Sequence, residues 1–454
     1  MNQGPSERRK PPTRQTPGLA ARQIAAQVVD GVLRQGKPLD ETLEGDRAHG
    51  VFRHLNARDR ALVTMLCQTS LRQLGFLRAV LARRLDKALP RRAGATEAIL
   101  LVAAAQIYFL DTPAHAAVDL AVRDAAGDRN ARHFRALVNA VLRAIAADRE
   151  AAAEGLDALE LNTPAWLHAR WQRQYGAEVA RNIAAAHART PPLDLTVKSD
   201  ADGWAQRLGG IVLPTGSVRI ADPHGSIERL EGYDAGAWWV QDAAAALPAR
   251  LLGDVAGLDV ADLAAAPGGK TAQLARAGAR VTAVDRSRTR MARLAENLAR
   301  LKLDATTVVA DIAKWQSGNS FDAVLLDAPC SATGTIRRHP DIPWLRRDGD
   351  FKAMQAVQSA LIGRAADLLK PGGRLVYATC SLEREEGEGA VAAALDAGAP
   401  LRVEAIGSAE LPGLAAAVTP DGYLRTRPDM AFIGSNGVEH PGMDGFFAAR
   451  LIRC

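Results

Sequence analysis

Apolar residues in the first third of the chain recur at helical spacing. Between residues 19 and about 149 they return every three or four positions, as Ile24, Val28 and Val32 do near the start. Such stripes bury one face of each helix against its neighbours. The pattern predicts an all-helical domain of five or more helices over residues 18–150.

The pattern changes in the remaining two thirds. Over residues 151–236, helix-like stretches precede the alternating runs LDLTVK and SVRIA, which predicts a small α+β module or connector. Over residues 237–454, strand-like runs alternate with helical ones, from GLDVADLAA through FDAVLLDAP and GRLVYATCS to the closing FFAARLIR. This alternation predicts an α/β domain with a mostly parallel, doubly wound sheet.

Positive charge is clustered along the chain, which has a net charge of +6 and a pI of about 9.3. The clusters are residues 1–17, Arg83 to Arg92, Arg129 to Arg135, and the set Arg337, Arg338, Arg346 and Arg347. Such patches suit a phosphate backbone and favour a nucleic-acid partner. Residues 1–17 combine proline and arginine with little apolar surface, so we expect a disordered basic arm there.

No stretch of the sequence is typical of a membrane protein or a secreted one. The longest apolar stretch, Ala98 to Leu110, is interrupted by Gln106 and falls short of the roughly 18 residues a membrane span needs. The N-terminus lacks the apolar segment of a secretory signal. We therefore expect a cytoplasmic protein that does not bind membranes, and a monomer.

Cysteine usage indicates chemistry rather than structural cross-links. Four cysteines in 454 residues, with no CxxC pair, argue against disulfides and against a zinc site, so no metal is expected. Cys330 and Cys380 each follow a strand-like run, and such positions face the crevice where these sheets bind ligands. Two thiols in one crevice indicate covalent catalysis, although the residues alone leave open which one attacks. Cys67 is expected in the helical core, and Cys454 without a role.

A glycine-containing turn, DLAAAPGGKT, joins the first predicted strand of the sheet to a helix. Glycines there let the backbone approach a ligand, and the helix N-terminus offers free N–H groups. GGKT resembles the end of a phosphate-binding P-loop, and Asp327 would suit the metal-binding strand of an NTPase. The P-loop pattern, however, needs a glycine where Ala264 stands. This difference argues against an NTPase, and the dinucleotide pattern GxGxxG is also absent.

Four successive predicted strands carry an aspartate near their ends: Asp262, Asp285, Asp311 and Asp327. A single aspartate in such a place is as readily a turn or helix starter. Asp285, however, lies about 20 residues past the first strand, where an acidic side chain meets ribose hydroxyls in such folds. A carboxylate-lined crevice suits a ligand with adenosine and a cationic centre, which describes S-adenosylmethionine better than NAD or ATP.

Four segments, AAAPGGKT, DAPCSATGTIRRHPDIPWL, YATCSLEREE and DGFFAARL, closely resemble the Sun (RsmB) family of S-adenosylmethionine-dependent RNA cytosine-C5 methyltransferases. The helical N-terminal region resembles the NusB-type RNA-binding module of this family. The resemblance implies a Rossmann-like methyltransferase domain over 237–454, a NusB-like domain over 18–150, and small-subunit (16S) rRNA as the substrate. Ala264 departs from the family, whose turn usually begins with cysteine. We expect weaker packing there and no loss of activity.

The resemblance also implies roles for individual residues. The cofactor contacts would be Ala264, Ala265, Ala266, Pro267, Gly268, Gly269, Lys270, Asp285, Asp311 and Asp327. The family's Thr-Cys nucleophile matches Cys380, whose thiolate would add to C6 of the target cytosine. Asp327 would assist at N3 of the base. Cys330 would help to remove the C5 proton and to release the enzyme.

The sequence offers alternatives for the activation of Cys380 and for the basic residues after Cys330. Cys380 needs a lowered pKa, from the start of the following helix or from Lys270. Arg337, Arg338 and His339 follow the Cys330 loop and either grip RNA phosphates or form a solvated basic loop.

Two further predictions concern the glutamates after Cys380 and the alternative functions of the protein. Glu383, Glu385 and Glu386 are expected to favour the first turn of a helix rather than to take part in chemistry. The rival functions are a non-catalytic RNA-binding protein with a decayed methyltransferase core, and a DNA cytosine methyltransferase.

Overall fold

The computed structural model describes residues 17–43, 50, 52–90, 92–223, 225–434, 437–440 and 442–454. The expected basic arm over residues 1–17 lies outside the described residues except at its last position. The chain divides into two compact units, one ending at Leu161 and the other running from Asn162 to Cys454. The expected domain boundaries at residues 150 and 236 stay predictions. None of the helices within the described ranges combines the length and the apolar character that a membrane crossing requires.

The first unit is all-helical, which confirms the prediction for this region. Its helices are α1 (Leu19–Gln35), α2 (Leu39–Leu43), α3 (Ala57–Arg72), α4 (Leu74–Ala82), α5 (Thr96–Phe109), α6 (Ala114–Gly127), α7 (Arg135–Ala147), α8 (Arg149–Ala153) and α9 (Ala158–Leu161). Helix α5 contacts α1, α3, α6 and α7 and is buried on every side from Ala98 to Ile107. Gln106, which interrupts this apolar stretch, accepts a hydrogen bond from Arg22 Nε at 2.7 Å. The longest apolar stretch is therefore a central core helix, and Cys67 is buried as expected.

The second unit begins with two helices and a small antiparallel sheet. The elements are α10 (Ala165–Tyr175), α11 (Ala177–His187), β1 (Leu193–Val197), α12 (Ala201–Leu208), β2 (Ile211–Val212), β3 (Val218–Ile220) and β4 (Trp238–Val240). The strand order is β2-β3-β1-β4. Trp171 on α10 and Ile183 on α11 share a hydrophobic cluster with Phe351 and Leu382 of the larger domain. The two helices therefore support the segment that follows Cys380.

The larger sheet has eight strands with helices around it. Its strands are β5 (Asp259–Leu263), β6 (Arg280–Asp285), β7 (Thr306–Val309), β8 (Phe321–Asp327), β9 (Leu369–Thr379), β10 (Leu401–Val403), β11 (Leu424–Thr426) and β14 (Phe446–Arg453), and a separate hairpin is formed by β12 (Phe432–Ile433) and β13 (Glu439–His440). The helices are α13 (Leu247–Arg250), α14 (Gly269–Arg276), α15 (Arg288–Leu301), α16 (Ile342–Leu345), α17 (Asp350–Leu368) and α18 (Glu388–Asp396). Strands β5 to β9 pair in parallel, whereas β14 runs antiparallel to β9, β10 and β11. The Rossmann-like prediction is confirmed, and FFAARLIR is a strand inserted between β9 and β10.

The order β10-β14-β9-β8-β5-β6-β7 creates a switch point between β5 and β8. The chain runs outward from β5 through β6 to β7 and then returns to β8 on the other side of β5. Open α/β sheets bind ligands at the carboxyl ends of the strands beside such a point. Adjacent residues such as Val324 and Leu325 are both fully buried, because helices and loops cover both faces of the sheet. We therefore expect the ligand-binding site in the crevice at the carboxyl ends of these strands.

Candidate active site

Two neighbouring strands carry the two cysteines out of the sheet side by side. Strands β8 and β9 pair in parallel with Asp327 opposite Ala378, so Cys330 and Cys380 leave the sheet at the same edge. Their sulfur atoms lie 3.4 Å apart, and both residues are partly buried. The structure thus brings together the two thiols that the sequence singled out.

The surroundings of Cys330 disfavour its thiolate form. The hydrogen bond with Cys380 and burial raise the pKa of Cys330 well above its ordinary value, and negative charge on Cys380 or Glu386 raises it further. Two sulfurs this close do not both carry a negative charge at low energetic cost. Ionisation of Cys330 is therefore disfavoured while the Cys380 sulfur lies beside it.

Lys270 and Asp327 form an ion pair beside the thiols. Lys270 Nζ lies 2.7 Å from Asp327 Oδ2, with the lysine side chain 9% exposed and the aspartate 31% exposed. The ammonium group also lies 5.0 Å from the ring centre of Phe446. The lysine that follows the glycine turn is thus bonded to the carboxylate three residues before Cys330, and an effect of Lys270 on Cys380 stays a prediction.

The turn between β5 and α14 is held mainly by backbone geometry. Ala264 and Gly268 both have positive φ, 59° and 103°, and Gly268 N donates to Ala265 O at 2.9 Å. A Cβ on Gly268 would lie 2.8 Å from Leu294 Cγ, so this position requires glycine. Asp285 accepts hydrogen bonds from Ala266 N and Ser287 N, which ties the end of β6 to the turn.

The four aspartates do not share one environment, which corrects the expectation of a crevice lined by all of them. Asp262 lies inside β5, is fully buried and accepts a hydrogen bond from Thr271 Oγ1 at 2.6 Å. This bond connects α14 to β5. Burial raises the pKa of Asp262 to about 7. Asp311 is exposed two residues past β7, and its carboxylate accepts from Ala313 N. Asp285 and Asp327 are the two that flank the turn.

Arg337 was expected to contact phosphates or solvent, and both expectations are wrong. Its guanidinium is buried and bonds Asp242 Oδ2 at 2.9 Å and Asp444 Oδ1 at 3.1 Å. The guanidinium is buried because it compensates the negative charge of two buried carboxylates. Arg338 is 40% exposed, and its guanidinium bonds the other oxygen of Asp444 at 2.7 Å.

The glutamates after Cys380 were expected to favour the first turn of a helix, and Glu385 and Glu386 do lie in the first turn of a short 3₁₀ helix. Glu383, just before this helix (Arg384–Glu386), and Glu386, its last residue, are both fully buried. Glu383 pairs with Arg170 and accepts from Trp171 Nε1 at 3.0 Å. Glu386 accepts from the serines that follow both cysteines. The repeated Cys-Ser in PCSA and TCSL was the available signal for this arrangement.

Comparison with known proteins identifies the family. The model of the family described as 16S rRNA methyltransferase RsmB/F matches residues 251–452, and that of the NusB family matches residues 19–147. The chain is 36% identical over 450 residues to the Ribosomal RNA small subunit methyltransferase B of Sodalis glossinidius (strain morsitans), with 95% of this chain and 97% of that protein covered. The chain belongs to the RsmB family. S-adenosylmethionine is accordingly its cofactor, and the first unit is its NusB-like domain.

Solved structures share the fold of this RsmB-family chain. The crystal structure of PH0851 superimposes with a TM-score of 0.73 at 24% identity, covering 96% of this chain and 99% of that one. A methyltransferase homolog protein from Pyrococcus horikoshii gives a TM-score of 0.52 at 27% identity, covering 66% of this chain and 96% of that one. Both carry a fold like that of this chain. The roles of the individual site residues stay predictions.

Proposed function

We propose that this RsmB-family chain methylates C5 of a cytosine in small-subunit (16S) rRNA through a covalent bond between Cys380 Sγ and C6 of the base. The observation that carries the proposal is the pair of thiols 3.4 Å apart at the ends of adjacent strands, with Asp327 close by. Methylation of a base nitrogen or a ribose oxygen would need no such pair. The ribosomal RNA methyltransferase names of the relatives support RNA as the substrate.

The residues at the turn fit a ligand with adenosine and a positive centre. The Ala264 to Lys270 turn, Asp285, Asp311 and Asp327 would hold S-adenosylmethionine, which supplies the methyl group. Each oxygen of Asp285 accepts one backbone N–H, so lone pairs remain for ribose hydroxyls.

Attack on the base is assigned to Cys380 because its Thr-Cys segment matches the family's nucleophile motif. The raised pKa of Cys330 disfavours the Cys330 thiolate, and the Cys380 thiolate would form the bond to C6. Addition places electron density on C5 and raises the basicity of N3. N3 would take up a proton from solvent, and Asp327, held by Lys270, would stabilise it there. N3 would return this proton to solvent when the methylated base is released. C5 then takes the methyl group.

Release needs a base for the hydrogen left on C5. Once Cys380 is bonded to carbon it carries no negative charge, so Cys330 loses its own proton to solvent more readily than before. The Cys330 thiolate then accepts the C5 proton, the S–C6 bond breaks, and the electron pair returns to Cys380 as thiolate. A thiol with a raised pKa suits this second role because its thiolate is the stronger base.

The NusB-like unit is proposed to capture the RNA. Its clusters at Arg83–Arg92 and Arg129–Arg135 supply the charge that a phosphate backbone needs. The 16S substrate, the monomeric state and the cytoplasmic location remain predictions.

The deciding experiment compares Cys380→Ala with Cys330→Ala on RNA and S-adenosylmethionine. Cys330→Ala should accumulate a protein–RNA adduct that survives denaturation, whereas Cys380→Ala should form none. The reverse result would make Cys330 the nucleophile. Methyl transfer by Cys380→Ala would rule out covalent catalysis through this residue, inactive wild type would support a decayed core, and a preference for matched DNA would support DNA methylation.

A further inference from the structure

Each cysteine of the pair is followed by a serine, and both serines bond the same buried carboxylate. Ser331 follows Cys330 and Ser381 follows Cys380, and their hydroxyl oxygens lie 3.1 Å apart. Both hydroxyls donate to Glu386 Oε2. Glu386 has no part in the proposed catalytic steps or in the proposed binding of the cofactor.

The other carboxylate oxygen of Glu386 is bonded as well. Oε1 accepts from Ser331 N at 2.8 Å and from Gln358 Nε2 at 3.1 Å. Gln358 lies on α17 and also donates to Pro329 O, at the start of the Cys330 loop. The buried charge of Glu386 is therefore matched by donors from both cysteine loops and from a helix behind them.

The backbone of Glu386 is fixed at the same time. Tyr377 on β9 donates its hydroxyl proton to Glu386 O at 2.6 Å. The two loops also touch through Gly334 N, which donates to Cys380 O at 3.0 Å. Glu386 thus occupies a set position relative to β9 and holds one loop against the other.

We propose that Glu386 is a positioning residue that holds the Cys330 and Cys380 loops in register and thereby sets the distance between the two sulfurs. Its effect on catalysis rests on the proposed covalent function, whereas its effect on sulfur spacing does not. Loss of this carboxylate would free two loops that carry reacting groups, and misplacement by about 1 Å can cost about 100-fold in rate.

Glutamine should replace Glu386 with little loss of position. Its amide oxygen can take the place of Oε1, and the serine hydroxyls can rotate to accept from its NH₂ group. Rescue by Glu386→Gln therefore separates positioning from a need for charge. Glu383→Ala is the matched control, because Glu383 is equally buried in the same segment but bonds Arg170 and Trp171.

Sulfur spacing can be measured without methyl transfer by using phenylarsine oxide. The reagent forms two As–S bonds with a thiol pair, both S–H bonds break, and its oxygen leaves as water with no change of redox state. The assay uses full-length protein carrying Cys454→Ser, which removes the exposed thiol, while Cys67 is buried. Affinity is read by competition with dithiothreitol, and Cys330→Ala and Cys380→Ala define single-thiol binding.

We expect Glu386→Ala to weaken arsenical binding about tenfold, because the effective concentration of one thiol at the other falls. Glu386→Gln and Glu383→Ala should bind like the parent. In methyl transfer, Glu386→Ala should lower kcat about 100-fold with KM for S-adenosylmethionine little changed, since the turn is untouched. Ser331→Ala, which removes the hydroxyl bonded to Glu386 and Ser381 but keeps the carboxylate, should show a smaller loss and serves if Glu386→Ala does not fold.

The positioning role is overturned if Glu386→Ala matches the parent in both assays, if Glu386→Gln is as impaired as Glu386→Ala, or if Glu383→Ala is equally impaired. The covalent function fails separately. Methyl transfer by Cys380→Ala would reject that function, yet a loss of arsenical affinity in Glu386→Ala would still support the positioning role.

Discussion

The two halves of the crevice are built in different ways. In the cofactor half, the turn from Ala264 to Lys270 is shaped by backbone conformation and by Asp285, whose carboxylate bonds backbone N–H groups. In the thiol half, Cys330 and Cys380 are held by side chains that come from distant parts of the chain, as when Ser331 bonds Glu386. The cofactor half should therefore be most sensitive to changes in backbone freedom, and the thiol half to the loss of single polar side chains.

The largest expected effect comes from the buried ions beneath the thiol half. Asp444→Ala would remove one of the two carboxylates that pair with Arg337 and the carboxylate that pairs with Arg338, so we expect a loss of about 3 kcal/mol in stability. All seven tryptophans lie in the second unit, so tryptophan fluorescence during urea unfolding reports on that unit.

The control for Asp444→Ala is Glu231→Ala, which breaks an exposed pair with Arg207. Surface pairs contribute about 0–1 kcal/mol, so this variant should unfold almost like the parent. Equal losses in the two variants would contradict the view that the thiol half depends on buried side-chain pairing.

The cofactor half should respond most strongly to Gly268→Ala. The residue has a φ of 103°, and the added methyl group would meet Leu294, so we expect a loss of about 2 kcal/mol and a raised KM for S-adenosylmethionine. Gly257→Ala is the matched control, because Gly257 has a φ of 72° with nothing within 4 Å of the added Cβ. Its loss should be smaller and its KM unchanged. An unchanged KM in Gly268→Ala would argue against the turn as the cofactor site.

The difference between the two halves also explains which features the sequence predicted and which it missed. The strand ends, the glycine turn and the cysteine pair are local patterns, and the structure brings them to one edge. The burial of Arg337 was missed because its carboxylate partners lie 95 and 107 residues away. Glu386 was missed because its role depends on Ser331, 55 residues away. Helix α14, which the sequence predicted to follow the glycine turn, begins at Gly269, directly after the left-handed Gly268.

Lys270→Met would test the contact that crosses from one half to the other. Lys270 follows the cofactor turn but bonds Asp327 in the thiol half, so its loss should lower kcat about tenfold by loosening that carboxylate. KM for S-adenosylmethionine should rise less, and Lys270→Arg should recover part of kcat. A rise in KM with kcat unchanged would place the lysine wholly in the cofactor half.

Asp262 sharpens the comparison, because it is a buried side chain that supports the cofactor half. Its pKa is about 7 in the folded protein, above the unfolded value of about 4. Between these values the folded state holds a proton that the unfolded state releases, so stability falls as pH rises from about 4 to 7 and then levels off. This group alone contributes about 1 kcal/mol per pH unit within the window. Asp262→Asn resembles the protonated form, so its urea midpoint should vary less between pH 5 and pH 7.5 and should exceed that of the parent at pH 7.5. Parallel pH profiles for the two proteins would mean that Asp262 stays ionised beneath the turn, with Thr271 Oγ1 as a stronger partner than its burial implies.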